Sequence, residues 1–144
     1  MTDKTTGMLG LMRRAQAIEP GEDRAGSAVK AGKAKLLLLA ADASDNAAKR
    51  ADGYTMGRNV PIVPLPYSKI ELGAALGMGT CAMAAVTDIG FAEALMKDLA
   101  LKDPERYQEL AQQTAQRNDK AKRRKQEAAA HKRNKRSGKR RTKA

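Results

Sequence analysis

The 144-residue chain predicts an α/β fold: a three-layer α/β/α sandwich around a small mixed sheet of about four strands, followed by a basic C-terminal extension. Three observations carry this expectation. Short apolar runs at Lys35–Ala40, Val60–Leu65 and Cys81–Val86 are too brief for surface helices. Between them lie segments with helix caps and helically spaced apolar residues. After Leu110, no residue bulkier than Ala is apolar, so the patterning of a packed body stops.

Taken in order, Thr6 can cap a first helix whose apolar stripe is Met8, Leu9, Leu11 and Met12, with Arg13 and Arg14 favouring its C-terminus. Glu19-Pro20-Gly21 breaks that pattern. A second helix runs from about Glu22 to Ala31 and ends at Gly32. The run Lys35–Ala40 reads as a strand covered on both faces. Ser44 or Asp45 caps a helix reaching about Tyr54. Pro61 and Pro64 push the strand at Val60–Leu65 toward an edge or a strand end. Ser68-Lys69-Ile70-Glu71 is a capping box, opening a helix that Gly77 terminates. Cys81–Val86 is a third strand, and Asp88 to about Leu101 an amphipathic helix with Phe91, Ala92, Leu95, Met96 and Leu99 on one side. Asp103-Pro104 restarts a helix with a cap followed by proline. The folded domain is expected over residues 1–102, and the extension over 103–144, helical at its start and disordered at its end.

Net charge is +12 and lies entirely in the last 28 residues. Residues 1–116 hold 14 Lys/Arg against 14 Asp/Glu, whereas residues 117–144 hold 14 Lys/Arg against Asp119 and Glu127 alone. Such a like-charged block suits a polyanion. It contains no aromatic residue, so it can grip phosphate but cannot stack on bases.

Several function classes find no support. No apolar run approaches the roughly 20 residues of a membrane span, and the N-terminal stretch lacks a secretory layout. The single Cys81 suits a reducing compartment, and the chain is expected to be cytoplasmic. Cys81 and His131 together make no zinc site, and Gly73, Gly77 and Gly79 do not form a phosphate-binding loop. No nucleophile–base pair is evident, so neither enzymatic activity, a small-molecule substrate, a metal nor a cofactor is expected.

Four pieces in order carry a family resemblance: Leu9-Gly10-Leu11 with Arg13-Arg14-Ala15; Ala34 through Ser44; Val60-Pro61-Ile62-Val63 with Ser68 through Gly73; and Ala85 through Ala92. With them the chain resembles the ribosomal-protein family of kink-turn RNA binders, the archaeal L-seven-Ae and L-thirty-e proteins and their short bacterial relatives, over residues 7–100. The resemblance implies RNA contact at the turn before the second helix, along that helix's first half, and in the loop before the last strand. The implied reading segment holds Gly21, Glu22, Asp23, Arg24 and Ser27. Gly21 matches the family pattern, but Asp23, Arg24 and Ser27 stand where Asn, Glu and Lys are usual. Asp23 only accepts hydrogen bonds and repels phosphate. The second implied segment places Met78 and Thr80 against an extruded base.

Other candidates come from charge. Lys30, Lys33 and Lys35 either contact phosphate or complement helix ends, and Asp42, Ser44 and Asp45 either meet RNA or cap a helix. In the extension, the expected phosphate contacts are Lys122, Arg123, Arg124, Lys125, Lys132, Arg133, Lys135, Arg136, Lys139, Arg140 and Arg141. The expectation is a non-catalytic, monomeric protein that is ribosome-associated or binds ribosomal or other structured RNA. An alternative is an assembly factor or RNA chaperone that binds RNA through the tail while its domain docks on a protein.

Overall fold

The computed structural model describes residues 3–142, with side chains described as far as Arg133; the expected contacts at Lys135, Arg136, Lys139, Arg140 and Arg141 lie outside the described side chains. Helix α1 is Lys4–Arg14. Its cap is Asp3 rather than Thr6: Asp3 accepts from the Thr6 amide at 2.8 Å, and the Thr6 hydroxyl accepts from the Asp3 amide at 2.9 Å. Thr6 is thus the reciprocal half of a capping box one turn further in. Strand β1, Ile18–Pro20, occupies the stretch expected only to break the first helix. Its proline is tolerated because β1 lies at a sheet edge. Then come α2 (Glu22–Lys30), β2 (Leu36–Leu39), α3 (Asp45–Thr55, capped by Ser44) and β3 (Ile62–Pro64). Helix α4 (Lys69–Ala75) opens on the Ser68/Glu71 capping box, β4 is Met83–Val86, and α5 is Ile89–Lys102, capped by Asp88. Helix α6 runs from Pro104 to Thr142.

The sheet order is β1-β4-β2-β3. Strand β4 is antiparallel to both neighbours, and β2 is parallel to β3, so the sheet is mixed. The four consecutive leucines serve both faces because strand side chains alternate. Leu36 and Leu38 join Leu9, Met12, Leu72, Leu95 and Leu99 in the layer under α1, α4 and α5, whereas Leu37 joins Ala25, Val29 and Ala51 under α2 and α3. Leu36, Leu37 and Leu38 are wholly buried.

Helix α6 continues the body across the position where the folded domain was expected to end. Tyr107 is buried in the larger core layer and donates its hydroxyl to the Pro64 carbonyl. Further along, Thr114 and Asn118 are buried, the Asn118 amide donates to Glu93, and Arg117 donates to the Lys35 carbonyl at 2.9 Å. This seam is mostly polar, so apolar periodicity gave no sign of it. At the N-terminus, Lys102 donates to Asp3 at 3.1 Å, to Thr5 at 2.6 Å and to Tyr67 at 3.2 Å. The network also satisfies buried Asp98, which accepts from the Thr5 hydroxyl.

Candidate nucleic-acid interface

Strand β1 delivers the chain to Gly21, whose φ of 95° and ψ of 152° belong to a region that side chains rarely enter. Gly21 is the N-cap of α2 and offers no side-chain cap. Its own amide donates to the Met83 carbonyl at 2.8 Å, tying this corner to the start of β4. An acceptor from outside can therefore approach the first turn of α2, where a helix presents unpaired N–H groups and a partial positive charge.

The loop entering β4 sits against the same corner. Helix α4 closes in a Schellman motif: Gly77, with φ of 75°, donates to Ala74 at 3.2 Å, and Met78 donates to Gly73 at 2.8 Å. Gly73 lets the returning chain pass close by, because a Cβ there would lie 2.7 Å from the Gly79 oxygen and 2.8 Å from Thr80 Cα. The loop then runs to Ala82, whose carbonyl accepts from Ala40 at 2.9 Å. Gly21, Met78 and Thr80 are thus brought to one end of the sheet, with Met78 and Thr80 exposed. Cys81 is buried behind them, and burial pushes its thiol above the usual range, so it stays protonated and unreactive.

Along α2, Asp23, Arg24 and Ser27 line an open groove of about 370 Å³ with Glu19 and Lys33. Arg24 is already engaged there, donating to Glu19 at 2.8 Å through Nε and 2.7 Å through Nη2. Glu22 is held by Arg50 from α3, which raises the arginine's already high pKa. Neither partner is legible from sequence spacing, since Glu19 and Arg50 lie on other elements.

The lysines preceding the leucine run are not beside the Gly21 corner. Lys35 donates its amide to Val86 at 2.6 Å, at the opposite end of β2 from Leu39 and Ala40. Four strand residues at about 3.3 Å each separate the two ends by roughly 13 Å. Lys33 reaches the far end of the α2 groove, and Lys30 lies over the Tyr54 ring at 5.5 Å. In the other candidate loop, Asp42 accepts from the Lys69 amide at 2.7 Å and Ser44 caps α3 at 3.1 Å, so both have structural work. Lys122, Arg123, Arg124, Lys125, Lys132 and Arg133 are exposed on α6. Among the described residues, no group of His, Cys, Asp and Glu could hold a metal ion, and no helix is long and apolar enough to cross a membrane.

Comparison with known proteins gives concordant matches. Residues 3–96 match the model of the ribosomal protein L7Ae/L30e/S12e/Gadd45 family. The RNA-binding protein YlxQ of Bacillus subtilis (strain 168) is 38% identical over 93 residues, covering 62% of this chain and 88% of that protein. A protein of unknown function from Bacillus halodurans superposes with a TM-score of 0.60 at 28% identity, over 65% of this chain and 94% of its own. The Giardia lamblia 15.5kD RNA binding protein gives 0.54 at 26% identity, over 70% and 92% respectively.

Proposed function

This chain belongs to the ribosomal protein L7Ae/L30e/S12e/Gadd45 family, and on that premise we propose that it binds structured RNA without catalysing a reaction. The observation that carries the proposal is the convergence of the Gly21 corner, the first turn of α2 and the Met78–Thr80 loop at one end of the sheet. An uncapped helix start suits a phosphate or base acceptor, while an exposed methionine and threonine suit an unstacked base. The names of two similar proteins, from Bacillus subtilis and Giardia lamblia, point the same way.

In this reading α6 adds sequence-independent affinity. Its exposed cations release counterions from RNA, and each phosphate contact steepens the fall of log K with log salt by about 0.7 to 0.9. Selection among RNAs belongs to the Gly21 end. A kink-turn element of ribosomal or other RNA is the target that the family motif suggests, with Asp23, Arg24 and Ser27 altering how it is read.

One observation favours a second reading. Asp23 is an exposed acid at the helix start, and Arg24 is pinned to Glu19, so the corner is less cationic than its position invites. A protein binding RNA through α6 and docking another protein with its body accounts for that. Binding of the full chain to a kink-turn RNA and to a control with its sheared pairs replaced, across a salt series, separates the two. Selectivity that persists at high salt supports the first reading, and equal affinities for both RNAs support the second. Asp23→Asn is expected to strengthen selective binding, since it removes a repulsive charge and adds a donor.

A further inference from the structure

A second cationic surface lies at the opposite end of the sheet. Residues Arg117, Lys120, Ala121 and Arg124 follow i, i+3, i+4, i+7 spacing and share one face of α6. That face meets Lys35, Asn59 and Ile89 around a cleft of about 290 Å³. A neighbouring cleft of about 210 Å³ shares Asn59 and Arg117 and adds Arg58. Arg117 is only partly exposed, and burial lowers its pKa with no carboxylate acting against that shift. It spends one of five guanidinium donors on the Lys35 carbonyl, at 2.9 Å. Among the described residues, no ion pair engages Lys35, Arg58, Arg117, Lys120 or Arg124. Asp119 falls on the opposite side of the helix by spacing, and Asp88 is committed to capping α5 through the Phe91 amide at 2.9 Å. Cations converging on a cleft without counter-charge suit an anionic ligand with several oxygens in a row.

We propose that Lys35, Asn59, Arg117, Lys120 and Arg124 form a second binding site for the phosphodiester backbone of an RNA stem, distinct from the Gly21 end. The inference rests on the RNA-binding reading above and extends it to where the stem leaves the recognised element. The α2 groove supplies a path between the two ends, because Lys33 lines its far end and lies two residues before Lys35. Helix α6 is then a wall of a site as well as a tail. Arg117 orients that wall by fastening α6 to the start of β2, while Lys35, Lys120 and Arg124 supply free charge.

The test compares the full chain with two triple variants on one probe, a two-stem RNA with an internal kink-turn and one extended stem. K35Q/K120Q/R124Q neutralises the cleft and leaves Arg117 in place. K4Q/R14Q/K97Q removes the same charge from exposed positions on the body, outside the cleft, α6 and the Gly21 end. Affinity is measured from low to moderate salt, with melting temperatures checking that both variants fold. The cleft variant is expected to lose about 2 to 3 units of the log K–log salt slope, and the other variant less than about 1. The charge-conserving K35R/K120R/R124K is expected to retain the wild-type slope. Equal losses in the two neutralised variants overturn the second site while leaving the RNA-binding reading intact. Absence of binding by the wild-type chain at low salt overturns both.

Discussion

Replacing Gly73 by alanine probes the junction that holds the Met78–Thr80 loop in place. A Cβ at this position would stand 2.7 Å from the Gly79 oxygen, about 0.7 Å inside the 3.4 Å at which contact becomes ordinary. The obstacles are backbone atoms of Gly79 and Thr80, so relief requires moving the loop itself. Overpacking of this kind costs about 1 to 3 kcal/mol, whereas Gly→Ala in a helix intrinsically contributes up to about 1 kcal/mol in its favour. Gly53 of α3 isolates that second term, since a Cβ there would meet nothing within 4 Å. Gly73→Ala is therefore expected to be about 1 to 3 kcal/mol less stable than Gly53→Ala. The melting-temperature gap is then several degrees, at about 3 °C per kcal/mol for a chain of this size. Selective RNA binding should fall in Gly73→Ala and stay unchanged in Gly53→Ala. If Gly73→Ala melts as high as Gly53→Ala and binds as well as wild type, the close approach does not position the loop, and the reasoning fails.

Three further outcomes are expected. Glu19→Gln frees Arg24 for phosphate, so RNA affinity should rise several-fold with a salt slope steeper by up to about 1, at little cost in stability because exposed pairs contribute about 0 to 1 kcal/mol. Asp3→Ala removes the α1 cap and should destabilise by about 1 kcal/mol in neutral-pH melts. The Thr6 amide bond, then Tyr67 and Lys102, hold the Asp3 carboxyl well below the usual carboxylate range. Its contribution is therefore full above the unfolded value near 3.8 and is lost as pH falls further, so the wild-type–mutant gap should narrow in acid. Tyr107→Phe keeps the buried ring but leaves the Pro64 carbonyl without its donor, and should cost about 1 to 2 kcal/mol by thermal or denaturant melting.

Local signals in the sequence translated well into structure. The Ser68/Glu71 box, a cap at Ser44 or Asp45, a helix starting at Asp88 and the edge position of β3 all depend on neighbours a few residues apart, which is what a linear reading can see. The leucine run as a doubly covered strand followed from hydropathy alone. Strand β1 escaped because it is three residues long, has Glu19 at its centre and ends in proline, a composition that only an edge partner makes into a strand. Asp3 and Thr6 both satisfy a cap rule, and only the reciprocal bonds decide between them. At the candidate site, Gly21 and the Met78–Thr80 loop were legible through a family pattern. The tie between Arg24 and Glu19 was not, because it depends on how β1 meets α2. The Arg117–Lys120–Arg124 stripe was hidden within a run of cations, and separating a lining residue from a solvated one requires knowing which side of α6 faces Lys35.

The seam between α6 and the body is made of hydroxyl, amide and guanidinium contacts from Tyr107, Asn118 and Arg117, with little oily surface beyond Leu110. Bonds of this kind are directional and easily exchanged for water, so they fix an angle more firmly than they resist peeling. A phosphate chain laid along that helix would act like a splint, silencing the repulsion among its cations and tightening the joint. How firmly the arm is set then depends on the cargo it carries.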